Sequence, residues 1–232
     1  VKILNPSSIQ EIEPHQPVVQ FEIGTFKNFI YLILDWSSFE AAIIDPQKDL
    51  SEPLRVLETY GFTLKKILLT HTHWDHIGGV PELLDRFPEV QLCVHAQEAQ
   101  RLKLSTEFSK SQNRIHFIQE GEKLFIGKLA VHVLHTPGHS AGECCFFLDN
   151  IEPPHLFTGD TLFIRDCGRT DLESGNTAEM FDSLQKIKNL PLNTLILPGH
   201  HYTIECISIL QKELETSPPL KCQSIQELEQ LP

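Results

Sequence analysis

An apolar run, Lys66-Ile67-Leu68-Leu69-Thr70, empties directly into His71-Thr72-His73-Trp74-Asp75-His76, and Ile77-Gly78-Gly79 leads out. Three imidazoles and one carboxylate fall within six residues, and no other feature constrains the chain as much. The pattern reads as a strand that delivers a cluster of donors onto a turn. One histidine on a loop is ordinarily solvated. Four donors at H-x-H-x-D-H spacing behind a buried strand read instead as metal ligands. Imidazole nitrogen and carboxylate oxygen are what borderline cations such as Zn²⁺ accept.

One loop cannot close two metal sites, so other ligands must come from further along. Three stretches repeat the same design, an apolar strand that ends in a glycine-containing turn. Val131 to Leu134 precede Thr136-Pro137-Gly138-His139-Ser140; Leu156-Phe157 precede Thr158-Gly159-Asp160; Leu195-Ile196-Leu197 precede Pro198-Gly199-His200. In each, glycine permits a tight turn, so the next side chain can aim back at a shared centre. The remaining histidines, His15, His95, His116, His132, His135, His155 and His201, read as core or surface residues.

Composition excludes several classes. At 232 residues the chain fits one large domain, long enough for a layered core without staples. A formal net charge of -12, with no Lys/Arg cluster, argues against nucleic acid. Part of that charge is what two divalent ions, about four positive charges, would need. No apolar run reaches the length of a membrane span. Val1-Lys2-Ile3-Leu4-Asn5-Pro6 lacks the features of a signal peptide. The six cysteines form no C-x-x-C pair, so free thiols in a reducing cytoplasm are expected. Cys144 and Cys145 should face opposite sides of a strand. Cys167 sits in a glycine-containing loop near the expected site.

Strands are expected over 17–23, 29–34, 41–44, 64–69, 91–95, 115–118, 129–134, 144–148, 156–157 and 194–197. Helices are expected over 50–60, 80–87, 96–104, 177–190 with Thr177 as cap, 202–216 and 224–231. Residues 105–113 read as a surface loop and 161–176 as a long loop.

H-T-H-W-D-H, T-P-G-H-S, F-T-G-D-T and P-G-H, in that order, resemble the successive motifs of the metallo-β-lactamase superfamily. The match runs from about Asn28 to Tyr202. The resemblance implies an α+β fold, an αββα sandwich of two mixed β-sheets flanked by helices, with metals at one edge. It implies a catalytic domain over 1–202 and a short helical extension over 203–232, packed on the same domain. His71, His73 and His139 would hold one ion; Asp75, His76 and His200 the other; Asp160 would bridge them. Asp45 resembles the family's supporting carboxylate. Two divalent ions are implied, zinc first, with iron or manganese suited to the same donors. Water acidified by the two ions would supply the hydroxide that attacks a carbonyl, with Asp75 as the catalytic residue that orients it.

Two stretches speak to substrate. Pro198-Gly199-His200-His201-Tyr202-Thr203 resembles the G-H-x-Y-T segment of glyoxalase II, the hydroxyacylglutathione hydrolases, which points to Tyr202 as a substrate contact. Cys167-Gly168-Arg169 resembles that family's G-C-G-K/R loop and points to Arg169. After His200 the only cations are Lys212 and Lys221, so the family's basic cluster for glutathione is not recognisable. The expectation is a hydrolase of a small thioester, glutathione-derived, from a monomer or homodimer. A second resemblance competes. Ile164-Arg165-Asp166-Cys167-Gly168-Arg169-Thr170-Asp171 is similar to the I-R-x-C-G-R-T-D loop of persulfide dioxygenases, which would use one Fe²⁺ on His71, His139 and Asp160. Trp74 and the P-G-H-H-Y stretch favour hydrolysis. A lactonase or a non-catalytic metal-binding module ranks lower.

Overall fold

A computed structural model of the chain describes residues 2–4, 12, 15–99 and 113–231. The expected helix over 96–104 and the loop over 105–113 lie largely outside the described residues. One sheet has seven strands in chain order: β1 (Lys2–Leu4), β2 (Val18–Ile23), β3 (Asn28–Asp35), β4 (Glu40–Ile44), β5 (Thr63–Leu68), β6 (Gln91–His95) and β7 (Ile115–Ile118). β2, β3 and β4 pair antiparallel, whereas β4 to β7 run parallel. The second sheet has the order β15-β14-β11-β10-β9-β8. Its strands are β8 (Lys123–Ile126), β9 (Leu129–His135), β10 (Cys144–Leu148), β11 (His155–Gly159), β14 (Leu195–Pro198) and β15 (Ser208–Ile209). A small hairpin, β12 (Leu162–Phe163) with β13 (Asp166–Cys167), stands apart.

Period-two alternation makes the layers. In β3, Phe29, Tyr31 and Ile33 face the second sheet and join a core with Val133, Phe146 and Phe157. Ile30, Leu32 and Leu34 face the other way, against Leu54 and Leu57 of α1 (Ser51–Tyr60) and Leu83 of α3 (Val80–Arg86). All eight residues of β3 are therefore buried. The second sheet repeats the logic. Cys144, Phe146 and Leu148 point inward, while Cys145 and Phe147 meet Met180, Leu184 and Ile187 of α4 (Thr177–Lys188). Each such fully buried apolar side chain stabilises by about 1.5–3 kcal/mol. The result is helix, sheet, sheet, helix, which is the expected αββα sandwich.

Strand direction places the ligand turns. β9 and β11 both run antiparallel to β10, and β14 runs parallel to β11. Their C-terminal ends therefore emerge at one edge, where β5 of the other sheet also ends. That edge collects the turns bearing His71, His139, Asp160 and His200. Gly138 (φ +147°) and Gly159 (φ +48°) turn in regions closed to most side chains. A Cβ at Gly159 would stand 2.6 Å from the Thr70 Cβ.

Some expectations need correction. Residues 202–209 are not helical: Ser208–Ile209 pairs with β14, and the helix begins only at α5 (Leu210–Thr216). Two short helices follow, α6 (Pro218–Lys221) and α7 (Ile225–Glu229). Asn176, not Thr177, caps α4; its side chain accepts the Glu179 N–H at 3.1 Å. The 161–176 loop contains the β12–β13 hairpin, and β8 was not foreseen. All six cysteines are free, with Cys144 and Cys145 in different cores. No helix among the described residues is long and apolar enough to cross a membrane.

Candidate metal centre

The His cluster begins three residues after the end of β5 and continues into a one-turn helix, α2 (Trp74–Ile77). This short helix turns Asp75 and His76 to the same centre as His71 and His73. Among the described residues three groups of three donors have ligand atoms within 4.8 Å of one another: His71, His73 and His139; Asp75, His76 and His200; and, behind them, Asp45, His71 and His76. In the first, His139 Nε2 lies 2.9 Å from His73 Nδ1. In the second, the Nε2 atoms of His76 and His200 are 3.1 Å apart, and His200 Nε2 is 3.5 Å from Asp75 Oδ2. Asp160 lies between the groups. Its Oδ2 is 3.5 Å from both His139 and His200 Nε2, and its Oδ1 is 3.6 Å from His76 Nε2. All seven sequence-derived donors thus converge.

The residues behind them set which nitrogen faces inward. His139 Nδ1–H donates to the Arg169 carbonyl at 2.8 Å, and His200 Nδ1–H to the Phe26 carbonyl at 2.9 Å. His76 Nδ1–H donates to Asp45 Oδ2 at 3.1 Å. The Thr70 hydroxyl donates to Asp45 at 2.6 Å, which leaves its oxygen to accept from His71 Nδ1–H at 3.0 Å. In all four rings Nδ1 is therefore engaged as a donor, and Nε2 is the nitrogen left to face the centre. Asp45 adopts a left-handed backbone (φ 49°), tolerated by Asp, and also accepts the Thr70 N–H at 2.8 Å.

Electrostatics follow from burial and crowding. Burial, aided by the neighbouring His76, holds the His71 pKa well below the usual imidazole value. Burial also opposes charge on His76, but Asp160 and Asp45 outweigh it and raise its pKa to about 9. Burial works against ionised Asp160 too; His76, His200 and His71 overcome it and hold its carboxyl far below the ordinary range. Asp160 is thus kept as an anion ringed by imidazoles.

Two observations test whether these residues suit divalent ions. His71 Nε2 and Asp160 Oδ1 are buried with no hydrogen-bond partner, and such orphaned atoms are costly unless something binds them. Tetrahedral ligands about 2.0–2.1 Å from one ion stand about 3.3 Å apart. The facing donors lie 2.9 to 3.8 Å apart. The donor set fits.

Sequence reasoning missed several supporting residues. Asn28 Nδ2 donates to Asp75 Oδ2 at 3.1 Å. Buried Glu98 accepts the Thr72 and Gly142 N–H groups, each at 3.0 Å, and ties the His cluster to the turn after His139. Buried Glu143 accepts the Asp160 N–H at 2.8 Å, and burial pushes its carboxyl well above the usual range. A lone carboxylate entering an apolar strand, as in Gly142-Glu143-Cys144, was the available signal. Of the other histidines, His132 pairs with Asp149 and His135 stacks on His95 at 4.2 Å, away from the centre. Cys167 packs with the outer core and does not line the cavity.

Above the donors opens a cavity of about 480 Å³, whose lining includes Phe26, Trp74, Arg169, Leu172, Glu173 and Tyr202. Both sequence-derived substrate residues are therefore at its mouth. Tyr202 lies flat on the His200 ring at 4.9 Å. The Arg169 guanidinium is held by both carboxylate oxygens of Asp171, at 2.6 and 2.7 Å.

Residues 28–200 match the family model of the metallo-beta-lactamase superfamily. The chain belongs to that superfamily. A hydroxyacylglutathione hydrolase of Hamiltonella defensa is 37% identical over 83% of this chain and 70% of its own length. One from Synechococcus is 36% identical over 76% of this chain and 66% of its own. The chain thus spans about two thirds of the length of these curated relatives. The solved structure of ETHE1 from Myxococcus xanthus superposes with a TM-score of 0.78 at 28% identity, over 92% of this chain and 91% of that one. Membership of the metallo-β-lactamase superfamily, together with the paired His/Asp clusters, implies use of a divalent metal.

Proposed function

We propose that the chain is a metal-dependent thioester hydrolase acting on a hydroxyacylglutathione-type substrate, with two divalent ions, zinc first. His71, His73 and His139 would hold one ion, and Asp75, His76 and His200 the other, with Asp160 between them. The observation that carries this reading is the set of locked imidazoles: four Nε2 atoms converge, and that of His71 is buried without a partner. Hydroxyacylglutathione hydrolases at 36–37% identity supply the substrate class.

Bound divalent ions supply Lewis acidity, which acidifies water toward neutrality and polarises a carbonyl. The chain's own residues do the rest. Asp75, steadied by Asn28, orients the attacking water and takes up its proton. Asp45 and Thr70 keep His76 and His71 in the ligating tautomer. Arg169 and Tyr202 contact the substrate at the mouth. A thiolate leaving group needs little protonation, so no strong general acid is required. The stretch 203–232 is read as an extension of the same domain: Leu210, Leu220 and Leu228 share a core with Met180. Six free thiols support a cytoplasmic location.

A second reading, a one-iron persulfide dioxygenase, is supported by the likeness to ETHE1 and by the Ile164–Asp171 loop. Elemental analysis with an assay on S-lactoylglutathione separates the two. Two zinc ions per chain and thioester cleavage are expected. One iron per chain, with oxygen uptake on glutathione persulfide and no thioester cleavage, would sink the hydrolase.

A further inference from the structure

The mouth of the cavity is built asymmetrically. Beside Asp75 and His200 stand exposed rings: Trp74 is 66% and Phe26 49% exposed, packed edge to face at 5.1 Å. Both line the cavity. The remaining lining is mixed: Leu172 and the 57% exposed Tyr202 ring stand beside Glu173 and Arg169, whose charge is already compensated by Asp171. Large rings left in water beside a reactive floor are apolar surface awaiting a ligand. Their edge-to-face contact fixes them in place, so a ligand meets a preformed surface. Phe26 also couples this wall to the floor: its carbonyl accepts the His200 Nδ1–H at 2.9 Å, while its ring faces the cavity.

We propose that Phe26 and Trp74 form an acyl-binding wall that selects thioesters with an aromatic or bulky apolar acyl group. This rests on the thioester-hydrolase reading and sharpens it. A carbonyl placed over the two donor groups has its substituents directed to the two rims. Phe26 and Trp74 pack on each other as a continuous apolar surface beside Asp75 and His200, so the acyl side chain goes there and the polar carrier goes toward the charged groups of the Arg169 loop.

The test uses two thioesters with one carrier and one α-hydroxyacyl core, S-mandeloylglutathione and S-lactoylglutathione, which differ by phenyl for methyl. The zinc-loaded protein is expected to favour the mandeloyl ester in kcat/KM. Phe26→Ala removes the ring but keeps the backbone carbonyl that holds His200. It should lower the mandeloyl-to-lactoyl ratio about tenfold, the scale on which apolar pockets discriminate, with zinc content unchanged. Trp74→Ala should act in the same direction and Trp74→Phe should restore part of the preference. Binding of the uncleavable thioethers S-benzylglutathione and S-methylglutathione, followed by Trp fluorescence, gives a readout independent of turnover. Benzyl should bind more tightly, and Phe26→Ala should erase the difference. An unchanged ratio and an unchanged benzyl preference in Phe26→Ala overturn the wall. Cleavage of neither thioester overturns the hydrolase reading instead; a benzyl preference lost in Phe26→Ala then still supports an aromatic subsite.

Discussion

His71 and His155 pose the same problem at opposite ends of the sandwich. Each is a buried histidine, each Nδ1–H donates to a neighbouring oxygen, and each Nε2 meets no hydrogen-bond partner. In both, burial lowers the pKa, to about 4 for His155. What differs is the company. Around His71, the ends of β5, β9, β11 and β14 bring His73, His76, His139, His200 and Asp160. His155 opens β11 at its other end, beside Pro153, and belongs to none of the donor groups found among the described residues. An orphaned nitrogen alone does not make a metal site. Convergence does, and here convergence is a property of strand direction.

The largest expected effect removes the shared ligand. Asp160→Ala should lose thioester cleavage and metal together, as measured by elemental analysis after dialysis. Full activity in that variant is incompatible with the proposed dinuclear centre. At the other end, His155 is the only member of the pair whose effect should appear as stability alone. Its folded pKa of about 4 lies below the unfolded value of 6.5, so below pH 6.5 the unfolded chain gains a proton that the native state refuses. The stability present above pH 6.5 is therefore lost as pH falls toward 4, by about 3 kcal/mol at most. Urea unfolding across that window should show a flatter profile for His155→Gln than for the wild type. Matching slopes would show that His155 titrates normally.

A smaller change should make His71 and His76 lose their guides without losing a ligand. Asp45→Asn removes the carboxylate that fixes Thr70 and His76, and metal affinity should drop about 10–100-fold in chelator competition. Unaltered affinity would mean that the tautomers are held by other contacts. Least of all, Arg169→Ala should raise KM by less than about tenfold, since exposed ion pairs contribute little. Its metal content should match the wild type. A collapse in kcat would place Arg169 in the chemistry, not at the rim.

The donors themselves were legible in the sequence, because a metal-binding cluster is a local pattern: three of the seven follow glycine-containing strand ends, and four share six residues. The layers were legible through the resemblance to the metallo-β-lactamase superfamily; β3 and β10 are continuous apolar runs, which show a strand but not which face each side chain takes. What escaped was set by partners far along the chain. Residues 202–209 carry a helical pattern, yet Ser208–Ile209 pairs with β14, and the Cys206 carbonyl accepts from Gln20. Thr177 is a good cap by type, but Asn176 stands one residue earlier with its side chain on the Glu179 N–H. Glu98 and Asn28 look unremarkable in sequence and matter only through atoms many residues away.

By itself, then, the sequence determined the donor types, their order and the strands that present them, because each is encoded within a few neighbouring residues. Only the tertiary structure decided that four strand ends share one edge. It also decided that backbone carbonyls of Phe26 and Arg169 hold two imidazoles in the ligating tautomer, and that Phe26 meets Trp74 at the mouth. Those depend on sheet pairing and on side chains brought together across the whole chain, which no local pattern records.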